Sequence, residues 1–398
     1  MLYADDTIIL AESPEELQTA LNSLHAYCIK WKLTVNVKKT KVIIFSRGVV
    51  RIAPAFVYGN QHLEIVREYT YLGVVFCCNG KFESAMSNRI EQATLALNAL
   101  KWRARKLRLP LDITLELFDR CVKPVLLYGC EVWGWDNLEP IEIFHRSFLK
   151  ECLGLKSSCS NNMIYAETGR MPLVYEVRIR MASYWLRVRS GTQTKIAYKL
   201  LTLCERLHHD PSSNYYFQWT DCVTKTLLDA GIDAANITES GLDSDCMRKR
   251  LWITAEEGFR IKWLAEVSVS RTCEMFKTFM PDWRPEIAPY LVKLNFFQRR
   301  AMARFRCRSN FLPMSSFNAH QYVNYQYLCP LCNADSADED HYLLSCSYFD
   351  TERRKLRDST EILSARELLT CDNFTVLSKI ARYVENILNA FKDLHLLG

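Results

Sequence analysis

Apolar residues first gather over positions 2 to 10, where Ile8, Ile9 and Leu10 follow two adjacent acids. That pattern predicts a strand, a tight turn and a second strand, with Ala4, Asp5 and Asp6 at the turn. Ser13, Pro14 and Glu16 then read as an N-cap, a first helical residue and the acid of a capping box. Behind them Leu17, Ala20, Leu21, Leu24, Tyr27, Cys28 and Trp31 recur at helical spacing, one apolar face to lay on a sheet. Strand patterns return over 33–37 and 42–45 around the basic turn KKTK, as a hairpin about Gly59 and Asn60, and in YLGVVF from Tyr71 to Phe76. Residues 1–80 thus predict an α+β unit, a helix on an antiparallel sheet.

After Asn79 and Gly80 the period changes to that of long helices. Ala85, Arg89, Ile90, Ala93, Leu97 and Leu100 carry it first, and it persists through 115–127, 141–153 and 175–188. From about 190 to 290 the pattern is weak. HHDPSSN at 208–214 reads as a polar loop, since His208, His209 and Asp210 are adjacent rather than spaced as metal ligands. Helical spacing resumes from Arg353. The expected organisation is 1–80, 81–190, 191–290, 291–350 and 351–398, mostly α-helical after the first unit, with no fixed-period repeat and no low-complexity tract.

Composition narrows the class. The chain has 398 residues, 49% hydrophobic and 24% charged, which suffices for a sizeable core divided into two or three domains. A net charge of +6 does not establish a polyanionic partner, so local clustering must make that case. Sixteen cysteines are scattered, with no secretory signal before them, which predicts a reduced intracellular protein, nuclear or cytoplasmic, whose cysteines are mostly buried thiols. The most apolar stretch, 122–135, is interrupted by Lys123, Pro124 and Glu131, so a membrane role is not expected.

Two groups carry candidate chemistry. Paired carboxylates on a hairpin tip, Asp5 and Asp6, suit magnesium, which takes oxygen ligands and is held by one or two carboxylates plus substrate phosphates. An ordinary Asp-rich turn is the alternative. Cys329, Cys332, His341 and Cys346 follow C-x2-C-x8-H-x4-C, a closed set of three sulfurs and one imidazole suited to structural zinc. Their alternative is four unrelated residues in a cysteine-rich chain.

YADD, the capped helix, WKLTVNVKKTKVIIF and YLGVVF, in that order and spacing, resemble the later half of a reverse transcriptase palm of non-LTR, jockey-like retrotransposons. LLYGCEVWG at 126–134, FLKECLGLKSSCSNNMIYAETGRMPL at 148–173 and RIRMASYWLRV are similar to the thumb and the region after it. The resemblance implies RNA-directed DNA synthesis at a nicked chromosomal target with magnesium and deoxynucleoside triphosphates. It implies that Asp5 is the metal ligand, Asp6 its partner, that Lys39 lies near the incoming nucleotide, and that Tyr71, Leu72 and Gly73 hold the primer end. A solvated turn lysine and a core strand are the plain readings of those last positions.

A full palm of this kind also has an aspartate from an earlier strand and a fingers region. The chain is therefore expected to be the C-terminal part of such an enzyme, inactive alone, with element proteins possible in trans. The alternative is a non-catalytic remnant binding RNA or DNA through thumb and zinc segment. Lys101, Arg103, Arg105 and Lys106 would meet template-primer phosphates or simply form a solvated helix face. Arg299, Arg300, Arg304, Arg306 and Arg308, with no interleaved acid and with Phe305 as a stackable ring, point to nucleic acid.

Overall fold

The computed structural model describes residues 2–46, 54–212, 215–233, 244–310, 312, 328–334, 338–357 and 364–396. The chain divides into two units, residues 1–91 and 92–398.

The first unit contains β1 (Leu2–Tyr3), β2 (Asp6–Thr7), α1 (Pro14–Trp31), β3 (Lys41–Val42), β4 (Phe56–Tyr58), β5 (Gln61–Ile65), β6 (Glu68–Tyr71) and β7 (Val74–Cys77). Helix α1 starts where the sequence places it. Ser13 Oγ accepts from the Glu16 amide at 3.2 Å, while the Glu16 carboxylate reaches back to the Glu12 amide at 3.0 Å, one residue earlier than a strict capping box. Its apolar face is narrower than predicted. Leu21 and Cys28 are buried, whereas Tyr27 and Trp31 are exposed. The helix is pinned by Gln18, which donates to the Val57 carbonyl at 2.7 Å and accepts from the Val57 amide at 2.9 Å. Leu21, Val42, Phe56, Tyr58 and Leu63 form the core beneath it; each such side chain withdrawn from water stabilises by about 1.5–3 kcal/mol before entropy is charged.

The strands form three small sheets, not one antiparallel sheet: β1–β2, β3–β5–β4 and β6–β7, with β3 parallel to β5. Residues 33–37 are not a strand. Asn36 draws the chain into a turn, its carbonyl accepting from Lys39 and Thr40 amides, and Val35 and Val37 pack on the core from there. YLGVVF is also not one strand: Leu72 and Gly73, with φ of 46° and 79°, make a two-residue turn between β6 and β7. Positive φ at both positions gives the twist that a tight hairpin needs.

Beyond this unit the chain is helical. Helix α2 (Glu83–Leu107) is followed by α3 (Leu111–Leu117), α4 (Lys123–Leu126), α5 (Cys130–Trp133), α6 (Glu139–Leu153), α7 (Asn161–Thr168), α8 (Leu173–Arg189), α9 (Ile196–His209) and α10 (Gln218–Asp229). Then come α11 (Ser244–Val269), α12 (Glu274–Phe279), α13 (Pro289–Lys293), α14 (Phe296–Arg306), α15 (Asp350–Arg357), α16 (Ala365–Thr370) and α17 (Phe374–Leu396). The helix expected over 115–127 is interrupted by a wide turn at Phe118–Val122, just before Pro124, which cannot donate to the helical ladder. His208 and His209 end α9 instead of lying in a loop; His208 Nε2 is 3.0 Å from Asp221 and Nδ1 accepts from the Phe217 amide.

Helix α8 packs against α5, α6, α9, α10 and α11. Phe118 and Phe148 stack at 4.2 Å in the buried interior, with His145 beside Phe118 at 5.7 Å. The buried Glu142 carboxylate accepts from Tyr165 and from the Val174 amide, satisfying a donor at the start of α8. Among the described residues no helix is long and apolar enough to cross a membrane.

Candidate functional site

The hairpin that carries the acidic pair forms as the sequence predicts, with one refinement. Tyr3 pairs with Asp6 and Leu2 with Thr7, so Ala4 and Asp5 are the turn and Asp6 opens the second strand. Ala4 has φ of 52°, a region that costs an L-residue free energy. Both aspartates are exposed. Their oxygens are the donor type that magnesium takes, and two carboxylates with free surface before them leave room for substrate phosphates.

Lys39 is exposed on the turn organised by Asn36, and its carbonyl accepts a 3.2 Å hydrogen bond from Tyr69 Oη of β6. That bond sets the NVKKT turn beside the hairpin bearing Tyr71, Leu72 and Gly73. Tyr69 was not singled out from the sequence; its place in a short exposed strand gave no signal.

The four sulfur and nitrogen ligands converge. Cys329, Cys332, His341 and Cys346 place their ligand atoms within 4.8 Å of one another, the one such group of three or more among the described residues. A tetrahedral ion with zinc–sulfur bonds of about 2.3 Å holds its sulfurs about 3.8 Å apart. Cys329 and Cys346 sulfurs lie at 3.9 Å, and Cys332 sulfur lies 3.3 Å from His341 Nε2, so the set fits zinc. Ser345 Oγ, 3.2 Å from Nδ1, leaves Nε2 as the nitrogen facing the thiols. Burial pushes the Cys346 thiol up to about 12, so a cation entering here displaces protons. The segment is seated on α17 by Tyr383 Oη, which meets the Tyr342 and Leu343 carbonyls at 2.8 and 3.1 Å.

The five arginines near α14 divide into two groups. Arg306 is buried, 2.7 Å from Glu167 and 4.3 Å from the Phe279 ring centroid, and it donates to the Leu369 carbonyl. Arg308 grips Glu339 with both Nε and Nη2, at 2.7 and 3.0 Å. Phe305 is wholly buried. These three do not face a polyanion: their partners come from distant segments, and the burial that pairs the arginines would exclude a phosphate. Arg299 and Arg300 instead flank the exposed Phe296 ring at 5.5 and 5.0 Å, and Arg304 is exposed. On α2, Arg103 is exposed, Lys106 lies 4.7 Å over exposed Trp102, and Lys101 and Arg105 both pair with Glu151. Glu151 and its neighbours at the end of α6 were missed because nothing in their local sequence separates them from an ordinary helix end.

Residues 1–76 match the family model described as reverse transcriptase (RNA-dependent DNA polymerase). The chain is 24% identical over 162 residues to an RNA-directed DNA polymerase from the mobile element jockey of Drosophila funebris, covering 38% of this chain and 18% of that protein. It is 30% identical over 161 residues to a transposon-derived protein of Caenorhabditis elegans, covering 38% and 56%. A probable RNA-directed DNA polymerase from transposon BS of Drosophila melanogaster is 28% identical over 141 residues, 33% of this chain and 16% of that protein. The matched part thus spans from under a fifth to just over half of these relatives. No solved structure matches. The likeness to jockey-like retrotransposon reverse transcriptases therefore stands on sequence, and the fold is mostly helical with small sheets.

Proposed function

We propose that the chain serves RNA-directed DNA synthesis by a non-LTR retrotransposon. The observation that carries this reading is the coincidence of the reverse transcriptase match, residues 1–76, with an exposed hairpin that presents Asp5 and Asp6. In this reading residues 1–80 are palm-like, 81–190 thumb-like, 191–290 a connection, 291–350 a basic and zinc-binding segment, and 351–398 a helical close. Asp5 and Asp6 hold magnesium, which when bound lowers the pKa of a primer hydroxyl and neutralises charge on the transferred phosphate. Lys39 approaches the incoming nucleotide, and Tyr71, Leu72 and Gly73 steady the primer end. Lys101, Arg103, Arg105 and Lys106 of α2 with Arg299, Arg300 and Arg304 of α14 bind template RNA and primer or target DNA. Zinc organises the Cys/His segment. The work is done inside the cell, in nucleus or cytoplasm, together with element proteins in trans.

Full-length sequencing of the transcript through Met1 defines the polypeptide to assay. RNA-templated primer extension with magnesium should be abolished by Asp5→Ala with Asp6→Ala; undiminished synthesis by that variant overturns the assignment. A second reading is non-catalytic nucleic-acid binding, favoured by the placement of α14 in the other unit from the hairpin. It predicts binding without synthesis, unchanged by the double substitution.

A further inference from the structure

The two basic runs, nearly two hundred residues apart in sequence, converge on the end of α6. A groove of about 570 Å3 is lined by Lys101, Trp102, Arg105, Lys106 and Glu151. A second, of about 610 Å3, is lined by Lys150, Glu151, Lys156, Arg300, Arg304 and Lys392. Glu151 belongs to both, and it is the one carboxylate among the described residues lining either.

Three cations of the second groove donate to backbone carbonyls. Lys150 Nζ donates to the Ser157 carbonyl at 2.5 Å, Lys156 Nζ to that of Asn310 at 3.0 Å, and Arg304 Nε to that of Gly154 at 2.9 Å. A carbonyl fixes a cation's position without cancelling its charge. Arg300 lies directly on Gly154: a Cβ there would come within 2.0 Å of its Nε, and Gly154 has φ of 70°. Arg300 Nε is buried without a hydrogen-bond partner. In the first groove the situation differs, because Glu151 meets Lys101 and lies 3.5 Å from Arg105.

We propose that α2, the end of α6 and α14 form one continuous trough for the phosphodiester backbone of a nucleic-acid strand, in which Glu151 stands where a phosphate sits between Lys101 and Arg105 when the strand is bound. Eight cations face one carboxylate along two adjoining grooves, an arrangement larger than a single phosphate requires. Trp102, exposed in the first groove, and exposed Phe296, 5.0 Å from Arg300 of the second, offer rings for bases. The proposal deepens the nucleic-acid part of the function above and rests on it; Glu151, Lys150, Lys156 and Lys392 are its additions.

The test is fluorescence anisotropy of the full chain with short single-stranded RNA and DNA, over a potassium chloride series. Glu151→Gln should tighten binding about threefold or more, because the competing charge is gone, while Lys392→Ala should weaken it and lower the salt slope by about 0.7. Arg304→Ala should do the same, and Lys392, exposed and outside the carbonyl network, guards against a folding artefact. A preference for RNA assigns the trough to template, and one for DNA to primer or target. Wild-type binding that neither Glu151→Gln nor Lys392→Ala alters overturns the trough while leaving the polymerase reading to the primer-extension assay. Absence of wild-type binding at low salt overturns the trough as well.

Discussion

Arg306 Nε meets Glu167 at 2.7 Å with both side chains buried, so a charge offered by one helix is spent inside the protein on an acid 139 residues away. Burial alone would push the guanidinium down; Glu167 and Tyr290 more than offset this and keep it charged. Removing one partner strands the other. Glu167→Ala or Arg306→Ala should each cost about 3–5 kcal/mol, whereas an apolar pair replacing both should cost much less. Urea denaturation of the two single variants and the double variant gives the comparison; additive losses would contradict a direct pair.

His145 provides a pH signature. Burial, with Arg170 next in weight, lowers its pKa from 6.5 to about 3. The folded state therefore binds fewer protons than the unfolded state between those values. Its contribution is complete above about 6.5 and is lost as pH falls toward 3, at up to about 1.4 kcal/mol per pH unit. His145→Phe, which keeps a ring against Phe118, should flatten that acid limb in thermal melts from pH 7 to 4. An unchanged slope would mean that the histidine titrates normally.

Zinc should be stoichiometric. The purified chain is expected to hold about one equivalent, lost on Cys332→Ser, and a chelator should lower the melting temperature of wild type but not of that variant. Elemental analysis and calorimetry read both. Metal-free wild type with the same melting temperature would remove the structural role of the cluster.

Leu72 sits at φ 46° in the β6–β7 turn, where asparagine or glycine would be easier. Leu72→Asn should stabilise the first unit by about 1 kcal/mol. If the leucine is retained for the primer end, the same variant should lose primer extension. A gain in stability without loss of synthesis would separate the turn from the site.

What could be read from the sequence was local. The α1 cap and the hairpin about Gly59 and Asn60 depend on residues within a few positions of one another, and the Cys/His ligands fall within eighteen consecutive residues. The arginines of α14 do not. Without interleaved acids they looked uniformly available, yet Glu167 and Glu339 reach Arg306 and Arg308 from other segments. Arg300 and Arg304, four residues apart, share the opposite fate because they share a helix face. The convergence of Lys101 and Arg304 on the two sides of Glu151 is likewise a tertiary fact, written in no single stretch.

Helix α14 bears Arg300 and Arg304 in the groove, and just past its end Arg308 holds Glu339, two residues before His341. The proposed anion trough and the proposed metal cluster thus share one short stretch of chain. Thermodynamic reciprocity then applies: whatever factor the metal adds to oligonucleotide affinity, the oligonucleotide must add to metal affinity. Two titrations, performed from opposite ends of the same helix, should return a single coupling constant.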